Sequence, residues 1–346
     1  MLAIVKPEAR PGAELMRVPI PEVGRRDVLV RVQAMSICGS DLHIYQWDRW
    51  SAGRLHPPLV FGHEFCGVVE KVGDEVTLVR SGDYVSAEMH VACGECYQCR
   101  TGRAHICQRV RILGVDADGC FAEFIRVPEV NIWKVDPAIP VDYAAVFDPL
   151  GNAVHTVLAG EVPGLSMAIL GCGPIGLFAI GVAKVSGAHP IWASEVHPFR
   201  RDLARKMGAN CVIDPTCQDP VQIVLGETDG RGAEVVLEMS GNPEAIRQGF
   251  QMLSRGGRMS LLGIPSEPVT LNLADDIIFR GALVQGINGR RVFDTWYKMQ
   301  GLVKSGALDL EPLITERMSM TDFKQGMELL ISGEACKVIM YPPGRP

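Results

Sequence analysis

Six short apolar runs between residues 167 and 284 constrain the fold of this chain more than any other sequence feature. Segments with helical character separate most of them, for instance residues 200–207 and 244–253. Regular alternation of apolar strands and helices is typical of a doubly wound α/β fold built on a parallel sheet. The sequence therefore predicts one such domain, with strands at residues 167–170, 191–193, 211–213, 235–237, 259–262 and 283–284.

A glycine-rich motif follows the first of these predicted strands. Gly171, Gly173 and Gly176 form a G-x-G-x-x-G pattern, and an apolar helix candidate begins within it. The three glycines allow a tight turn, a close approach of the backbone to a pyrophosphate, and close packing of the helix on the strand. The pattern predicts a dinucleotide site at the helix N-terminus. A glycine turn without any cofactor is the alternative.

An acidic residue lies where a dinucleotide site binds the adenosine ribose. Glu195 comes nineteen residues after Gly176, just past the second predicted strand. A carboxylate there accepts hydrogen bonds from the ribose 2′- and 3′-hydroxyls and repels a 2′-phosphate, which favours NAD over NADP. Arg200 and Arg201 weaken this preference, because a basic side chain could bind the additional phosphate.

The remainder of the chain has a different pattern. The total length of 346 residues fits about two domains. The first 150 residues predict mainly β-structure, in which turns rich in glycine, proline and aspartate separate short apolar runs at residues 28–32, 67–72 and 121–127. After about Gly289 the alternation ends. The tail predicts helices at residues 293–305 and 322–332 and a last strand near residues 337–340.

Four cysteines lie within fifteen residues in a C-x2-C-x2-C-x7-C arrangement: Cys93, Cys96, Cys99 and Cys107. Such short spacings aim neighbouring sulfurs at one point and favour a closed tetrahedral zinc. An iron–sulfur cluster and disulfides are the alternatives, although no Cys-Pro follows Cys99 at the spacing of a ferredoxin run. Four thiolates leave no coordination position open. We therefore expect this zinc to stabilise a lobe near residues 90–110, without a catalytic role.

A second set of metal-ligating residues lies outside the quartet. Cys38, His63 and Glu64 offer a thiolate, an imidazole and a carboxylate, and together they can bind Zn²⁺ with one position left for substrate. Such a zinc lowers the pKa of a bound alcohol. Each of the three residues could also be ordinary core or loop.

Three further residues are candidates for moving a proton away from that zinc. A hydroxyl at Ser40 can pass a proton onward, and an imidazole at His43 can release it to solvent. A turn hydroxyl and a surface ring are the alternative interpretations. Asp148 could bind zinc, support the proton relay, or cap the helix that follows it.

Composition and charge exclude several classes of partner. The net charge of −6 comes with no long charged run, so nucleic acid and anionic membranes are not expected partners. Residues 162–183 carry no charge, but their prolines and glycines favour a buried strand and helix over a membrane span. No signal peptide pattern is present, and the eleven cysteines suit metal binding in a reducing cytoplasm.

The order of these motifs resembles that of the zinc-containing medium-chain dehydrogenases. Gly62-His63-Glu64 comes first, the cysteine quartet second and the glycine motif third, so the resemblance covers essentially the whole chain. Within that family, four passages resemble the enzymes that oxidise L-threonine: residues 38–50, 147–156, 238–242 and 293–299.

The resemblance implies a catalytic zinc at Cys38, His63 and Glu64, a structural zinc at the quartet, and a proton relay through Ser40 and His43. It implies two domains: a GroES-like, mainly β catalytic domain from residues 1–150 and 290–346, and an NAD-binding Rossmann domain from residues 151–289. The NAD contacts that it implies are Ile175, Glu195, Arg200, Leu262, Gly263, Ile264, Gly286 and Ile287.

The reaction implied is oxidation of a secondary alcohol with hydride transfer to NAD. L-threonine, giving L-2-amino-3-oxobutanoate, is the favoured substrate, and a homotetramer is expected. A polyol, sugar or diol is the alternative, because no motif recognises an amino or carboxylate group. A zinc- and nucleotide-binding relative without catalysis is a remote third reading.

Departures from the family pattern are modest. Ser40 stands where many relatives have threonine, and serine keeps the hydroxyl group. Asp148 stands where several relatives have glutamate, and the aspartate side chain has a shorter reach. His90 matches a histidine near the substrate pocket of the threonine enzymes. A solvated histidine at the edge of the cysteine lobe is the alternative interpretation.

Overall fold

A computed structural model describes residues 1–344 and contains eighteen strands in that range. In chain order they are β1 (Leu2–Lys6), β2 (Glu14–Arg17), β3 (Asp27–Ser36), β4 (Leu59–Val60), β5 (Phe65–Val72), β6 (Tyr84–Ala87), β7 (His90–Val91), β8 (Arg111–Ile112), β9 (Phe124–Pro128), β10 (Ile132–Lys134), β11 (Met167–Leu170), β12 (Ile191–Ser194), β13 (Cys211–Ile213), β14 (Ala233–Glu238), β15 (Leu253–Leu261), β16 (Leu283–Gly286), β17 (Ile314–Ser319) and β18 (Lys337–Tyr341).

Eleven α-helices accompany these strands over the same residues. They are α1 (Gly39–Gln46), α2 (Arg49–Arg54), α3 (Tyr97–Arg100), α4 (Val141–Ala145), α5 (Phe147–Val157), α6 (Pro174–Val185), α7 (Pro198–Met207), α8 (Pro220–Glu227), α9 (Pro243–Met252), α10 (Asp294–Lys304) and α11 (Phe323–Ser332). One π-helical turn spans Leu273–Ile278.

The chain divides into two compact units. Unit 1 contains Met1–Pro149, Arg291–Gln300 and the chain from Ile314 onward, and unit 2 contains Leu150–Arg290 and Gly301–Leu313. The sequence predicted residues 301–313 as part of the first domain, whereas Gly301–Leu313 belongs to unit 2. This segment packs with unit 2 because Leu308 is buried against Gly181 of helix α6. A Cβ atom added to Gly181 would lie only 2.9 Å from Cδ1 of Leu308.

Unit 1 is built on an antiparallel arrangement around β3. This strand pairs with β5, β9 and β18, and the tail adds β17 parallel to β18. In β3 the burial alternates only partly, because the strand lies inside the unit and both of its faces contact apolar side chains. The pairing of β18 with β3 places residues from the end of the chain beside Ser36 and Ile37.

Unit 2 contains a six-stranded parallel sheet in the order β13-β12-β11-β14-β15-β16. Helices that connect its strands bury their apolar faces on it, as Phe250 and Met252 of α9 do. This is the doubly wound arrangement that the alternating pattern predicted, and the predicted fold class is confirmed.

Most predicted elements lie within one to three residues of the observed ones. The charge-free stretch at residues 162–183 contains β11, the glycine turn and most of α6. Within residues 1–344, no helix has the length and apolar character needed to cross a membrane. Sequence reasoning missed α1 and α2, which follow β3 and supply part of the site described next.

Candidate zinc and nucleotide sites

Helix α1 places the thiol of Cys38 at its N-terminus. Cys38 is the N-cap residue, and its backbone N–H donates a 2.8 Å hydrogen bond to the carboxylate of Asp41 in the first turn. Asp41 is fully buried, and this burial raises its pKa to about 6 even though nearby His63 opposes the shift. The capping interaction fixes the backbone on both sides of Cys38, so its thiol is held in one place.

A glycine turn brings the imidazole and the carboxylate toward that thiol. Gly62 has a φ of +89°, and a Cβ atom there would lie 2.2 Å from the ring of Phe121. The positive φ and the aromatic ring both exclude a side chain, so only glycine fits. The next two residues, His63 and Glu64, are buried, and the turn that carries them is locked into the core of unit 1.

The donor atoms of Cys38, His63 and Glu64 lie within 4.8 Å of one another. Oε1 of Glu64 is buried without a hydrogen-bond partner among the described residues, as expected of an atom that faces a metal. Burial alone would lower the pKa of His63, but Asp41 and Cys38 outweigh it and raise that pKa well above its usual value. The same negative surroundings favour a cation, and the three ligand types suit Zn²⁺. The residues therefore fit a catalytic zinc.

Ser40 and His43 lie three residues apart on α1, a spacing that makes them neighbours on the helix surface. The hydroxyl of Ser40 lies 3.3 Å from Nε2 of His63. The side chain of His43 is 58% exposed, and its Nδ1 lies 2.6 Å from Oδ2 of Asp48. The structure thus places the serine beside a predicted zinc ligand and the histidine in contact with solvent. Sequence reasoning did not single out Asp48.

The cysteine quartet forms a second cluster in unit 1, with all four sulfurs within 4.8 Å of one another. Neighbouring sulfurs lie 3.5–4.0 Å apart, and four sulfurs bound to one zinc at about 2.3 Å stand roughly 3.8 Å apart. Backbone N–H groups of Glu95 and Cys96 lower the pKa of Cys93 to about 6, which favours a thiolate. All eleven cysteines are free. The quartet therefore fits a four-thiolate zinc, and no disulfide competes with it.

In unit 2 the carboxyl ends of the strands gather the predicted cofactor residues at one edge. Leu170 is in register with Ser194 and Glu238, and Leu261 with Gly286. Ligands of doubly wound folds bind outside this edge. The predicted residues at or just after these strand ends are Gly171, Gly173, Ile175, Gly176, Glu195, Leu262, Gly263, Ile264, Gly286 and Ile287.

The glycine motif forms the turn between β11 and α6. Gly171 has a φ of +92°. A Cβ atom on Gly176 would lie only 2.0 Å from the carbonyl oxygen of Gly171. Around Gly173, by contrast, a Cβ atom would meet nothing within 4 Å. Two of the glycines are thus required for packing, and the third leaves open space at the N-terminus of α6. This space and the helix N-terminus fit a pyrophosphate.

Glu195 follows β12 and is buried at the same edge. Its carboxylate accepts hydrogen bonds from the backbone N–H groups of Cys172 at 2.7 Å and His197 at 2.8 Å. Arg201 is engaged elsewhere, because its guanidinium pairs with Asp214 at 2.9 Å. The side chain of Arg200 is half-buried and forms no hydrogen bond or ion pair within residues 1–344. Of the two arginines considered for a 2′-phosphate, only Arg200 remains available.

Comparison with known proteins decides the family. Residues 24–137 match the family described as "Alcohol dehydrogenase GroES-like domain", and residues 174–305 match "Zinc-binding dehydrogenase". The L-threonine 3-dehydrogenase of Caldanaerobacter subterraneus subsp. tengcongensis is 51% identical over 343 residues, which cover 99% of each chain. The chain belongs to the zinc-containing medium-chain alcohol dehydrogenase family. The resemblance stated from its sequence is confirmed, and the chain is an oxidoreductase.

Solved structures of similar fold cover the full length of this dehydrogenase. A zinc-binding dehydrogenase from Sinorhizobium meliloti 1021, bound to NADP, is 30% identical with a TM-score of 0.90, and 99% of each chain is covered. The 2R,3R-butanediol dehydrogenase of Bacillus subtilis is 28% identical with a TM-score of 0.90, again over 99% of each chain. The similar proteins thus support zinc and a nicotinamide nucleotide as the cofactors.

Two other predicted residues of this dehydrogenase are buried or partly buried in unit 1. Asp148 lies in the first turn of α5, near enough to raise the pKa of His63 but outside the set of three donor atoms. Nδ1 of His90 lies 2.7 Å from the buried carboxylate of Glu88, which also accepts a 3.0 Å hydrogen bond from the indole of Trp296. His90 is therefore held by a buried carboxylate while its side chain stays 23% exposed, so both interpretations of this histidine remain predictions.

Sequence reasoning missed the cation that pairs with Glu64. Lys337 on β18 is buried, and its Nζ donates to Oε2 of Glu64 at 2.5 Å and to the carbonyl of Ile37 at 2.8 Å. Burial alone would lower the pKa of Lys337, but Glu64 outweighs it and the pKa is raised. A lysine that opens an otherwise apolar strand was the available signal, since such a strand buries its side chains.

Sequence reasoning also missed the role of Glu238 at the cofactor edge. Its buried carboxylate accepts hydrogen bonds from the backbone N–H groups of Ser240 at 2.8 Å and Gly241 at 3.0 Å. Its carbonyl oxygen accepts from the N–H of Leu262 at 2.9 Å. Glu238 therefore holds together two of the loops that follow the strands.

Proposed function

We propose that this dehydrogenase oxidises the C3 hydroxyl of L-threonine with NAD⁺, giving L-2-amino-3-oxobutanoate and NADH. The observation that carries the proposal is the 51% identity, over 99% of both chains, with an L-threonine 3-dehydrogenase. The butanediol enzyme of the same fold is only 28% identical over the same length. Substrate identity follows overall sequence more closely than it follows a shared fold.

The zinc ligands in this proposal are Cys38, His63 and Glu64. Bound there, zinc would supply a Lewis acid that stabilises negative charge on the substrate oxygen, and bound NAD⁺ would supply the hydride acceptor. The protein fixes the ligands through the Cys38 cap and the Gly62 turn. A second zinc, at the cysteine quartet, would stabilise its lobe, which makes two ions per subunit.

The proton of the substrate hydroxyl leaves through this chain's own residues. The hydroxyl of Ser40 lies beside the ligand set, 3.3 Å from Nε2 of His63. It accepts the substrate proton as its own moves toward the imidazole of His43, three residues further along α1. His43 is exposed and releases one proton to water for each turnover. Asp148 adds negative charge near His63, which favours retention of the metal.

NAD is proposed over NADP because Glu195 places a carboxylate at the ribose end of the site. The charge of Glu195 would repel a 2′-phosphate, while a carboxylate oxygen has lone pairs left for ribose hydroxyls. The loops at residues 262–264 and 286–287 and the side chains of Ile175 and Arg200 complete the proposed contacts.

A tetramer in the cytoplasm is part of the same proposal. Strand β16 pairs only with β15 among the described residues, and Leu283 on this sheet edge is 58% exposed. Ile278 and Phe279 are exposed close to it in sequence. An apolar, unpaired edge suits pairing with a second copy, which sedimentation velocity would test. Thiolate zinc ligands suit the reducing cytoplasm.

The alternative substrate is a polyol, sugar or diol, because the zinc ligands and relay act on any secondary alcohol. The non-catalytic reading is disfavoured by the complete set of ligands and relay residues. The test offers purified, zinc-loaded protein and NAD⁺ a panel of L-threonine, butane-2,3-diol and sorbitol, and follows NADH absorbance. We expect kcat/KM for threonine to exceed the others by at least about 100-fold. Rapid oxidation of sorbitol without oxidation of threonine would reject the proposal.

Replacing Glu195 tests the nucleotide assignment. Glu195→Gln keeps an acceptor for the two backbone N–H groups but removes the charge, so kcat/KM for NADP⁺ should rise about 10-fold and that for NAD⁺ should fall. The matched control is Glu234→Gln, which changes a carboxylate that contacts Ser166 at the opposite end of the sheet. Unchanged NADP⁺ use in the first variant would contradict the role of Glu195.

A further inference from the structure

We propose that Asp48 is a positioning residue for His43 and that it fixes which ring nitrogen receives the departing proton. The inference rests on the proposed function, because it concerns the relay that this function requires. Asp48 lies in the short turn between α1 and α2, five residues after His43.

The contact determines the tautomer of the imidazole. Oδ2 of Asp48 lies 2.6 Å from Nδ1 of His43. An ionised carboxylate can only accept a hydrogen bond, so Nδ1 must carry the ring proton. Nε2 of the neutral ring is then left as the acceptor. Without such a partner, an exposed imidazole exchanges between its two tautomers and rotates.

Asp48 is itself fixed at a second point. Its Oδ1 accepts a 3.0 Å hydrogen bond from the backbone N–H of Ser51, as the N-cap of α2. Trp47 ends α1 in the left-handed conformation, with a φ of +56°, and so turns the chain toward α2. The Ser51 N–H lowers the pKa of Asp48 and keeps the carboxylate ionised. One oxygen therefore anchors the residue, and the other orients His43.

The neighbouring side chains support the same orientation of the ring. The ring of Trp50 meets the His43 ring at an interplanar angle of 64°, with 6.2 Å between centroids. The guanidinium of Arg54 lies over the Trp50 ring, 6.0 Å from its centroid, and pairs with the carboxylate of Asp116 at 2.9 Å. The ring is therefore in edge-type contact with an indole and held at Nδ1 by a carboxylate.

The proton balance of the step is complete with these groups. The substrate would lose a hydride to bound NAD⁺ and a proton to the hydroxyl of Ser40, whose own proton would move on toward Nε2 of His43. His43 briefly carries two ring protons, and the carboxylate of Asp48 stabilises that charge. One proton then leaves to water and restores the neutral ring. Asp48 forms no bond to substrate and gains no proton.

The experiment replaces Asp48 with asparagine in the full-length, zinc-loaded enzyme. Asp48→Asn keeps an oxygen for the Ser51 N–H, since asparagine caps as well as aspartate. Its amide N–H group then faces Nδ1 of His43 and forces the ring proton onto Nε2. We expect kcat for the alcohol that the wild type oxidises best to fall about 10- to 100-fold. KM values and Tm should stay near those of the wild type.

Rescue separates a relay defect from a structural one. Free imidazole in the assay should restore most of kcat in Asp48→Asn, and also in His43→Asn, because it accepts the proton in place of the misoriented ring. Asp219→Asn is the matched control, since Asp219 caps α8 in the same way, accepting from the N–H groups of Val221 and Gln222. It should leave kcat unchanged.

Two outcomes would overturn the proposal. In the first, Asp48→Asn keeps the wild-type kcat. In the second, its loss resists imidazole while that of His43→Asn responds, which would assign Asp48 a structural role. Failure of the threonine assignment is seen separately, in the substrate panel of the wild type. The Asp48 comparison then proceeds with whichever alcohol is oxidised.

Discussion

Cys38→Ser is expected to lower kcat by about 10³-fold or more while NAD⁺ still binds. A serine hydroxyl is a poor ligand at neutral pH because, unlike a thiol, it does not ionise readily, and the remaining His63 and Glu64 offer only two donors. The nucleotide residues lie in unit 2 and are not altered by this change. Loss of the Lewis acid removes several kcal/mol of stabilisation from the transition state.

Two measurements and one control define this prediction. Metal analysis should show that Cys38→Ser loses one zinc of two per subunit, and fluorescence titration should give a Kd for NAD⁺ within about 3-fold of the wild type. The control is Cys66→Ser. Cys66 is another buried cysteine of unit 1, and its thiol donates a hydrogen bond to the carbonyl of Val141, which a serine hydroxyl can also do. A Cys38→Ser enzyme with the full rate would refute the zinc mechanism.

The fold was largely predictable because its strongest patterns are local. Each strand of unit 2 contains a short apolar run, and the glycine motif identifies the turn after the first of them. Strand β15 (Leu253–Leu261) begins six residues before the predicted run at residues 259–262, because its first part contains Ser254, Arg255 and two glycines. Register places the ends of neighbouring strands side by side, so residues after each strand converge. The sequence also singled out Cys38, His63 and Glu64 as possible zinc ligands, because thiolate, imidazole and carboxylate are the groups that bind zinc, and the fold brings their donor atoms within 4.8 Å of one another.

The partners of those residues were less predictable, because the fold brings them together from distant segments. Lys337 is 273 residues from Glu64, and Trp296 is 208 residues from Glu88. No local pattern connects such pairs. Asp48 was missed for another reason. It lies five residues from His43, and a helix would separate the two, whereas the turn at Trp47 reverses the chain and brings them into contact.

Lys337→Met is expected to lower the Tm of the transition that unfolds unit 1 by about 10 °C. The side chains of Lys337 and Glu64 are almost completely buried and lie 2.5 Å apart. Removing the lysine leaves a buried carboxylate without its cation, and breaking such a pair costs about 3–5 kcal/mol. Each kcal/mol shifts the Tm of a domain of this size by roughly 2–4 °C.

The chain offers a matched control in Lys6. This lysine is also buried, but within residues 1–344 its ammonium pairs with no carboxylate. It donates to the carbonyls of Gly12 and Tyr45 and lies 5.1 Å from the Trp47 ring centroid, and burial lowers its pKa to about 8. Lys6→Met therefore leaves no uncompensated charge, and we expect a Tm loss of only about 2–4 °C. Calorimetry of both variants, in zinc-loaded and in chelated protein, provides the comparison.

The pair also predicts the result of a double substitution. Glu64→Gln in the Lys337→Met background removes the stranded charge, so the double variant should be more stable than Lys337→Met alone, although it lacks a zinc ligand. Equal Tm losses in Lys337→Met and Lys6→Met would contradict this account, because the cost would then come from burying a new methionine. The position of Lys337 explains why a charged residue begins the last strand. Its ammonium holds Oε2 of Glu64, and Oε1 is left buried with no hydrogen-bond partner among the described residues, available to bind a metal beside the thiol and the imidazole.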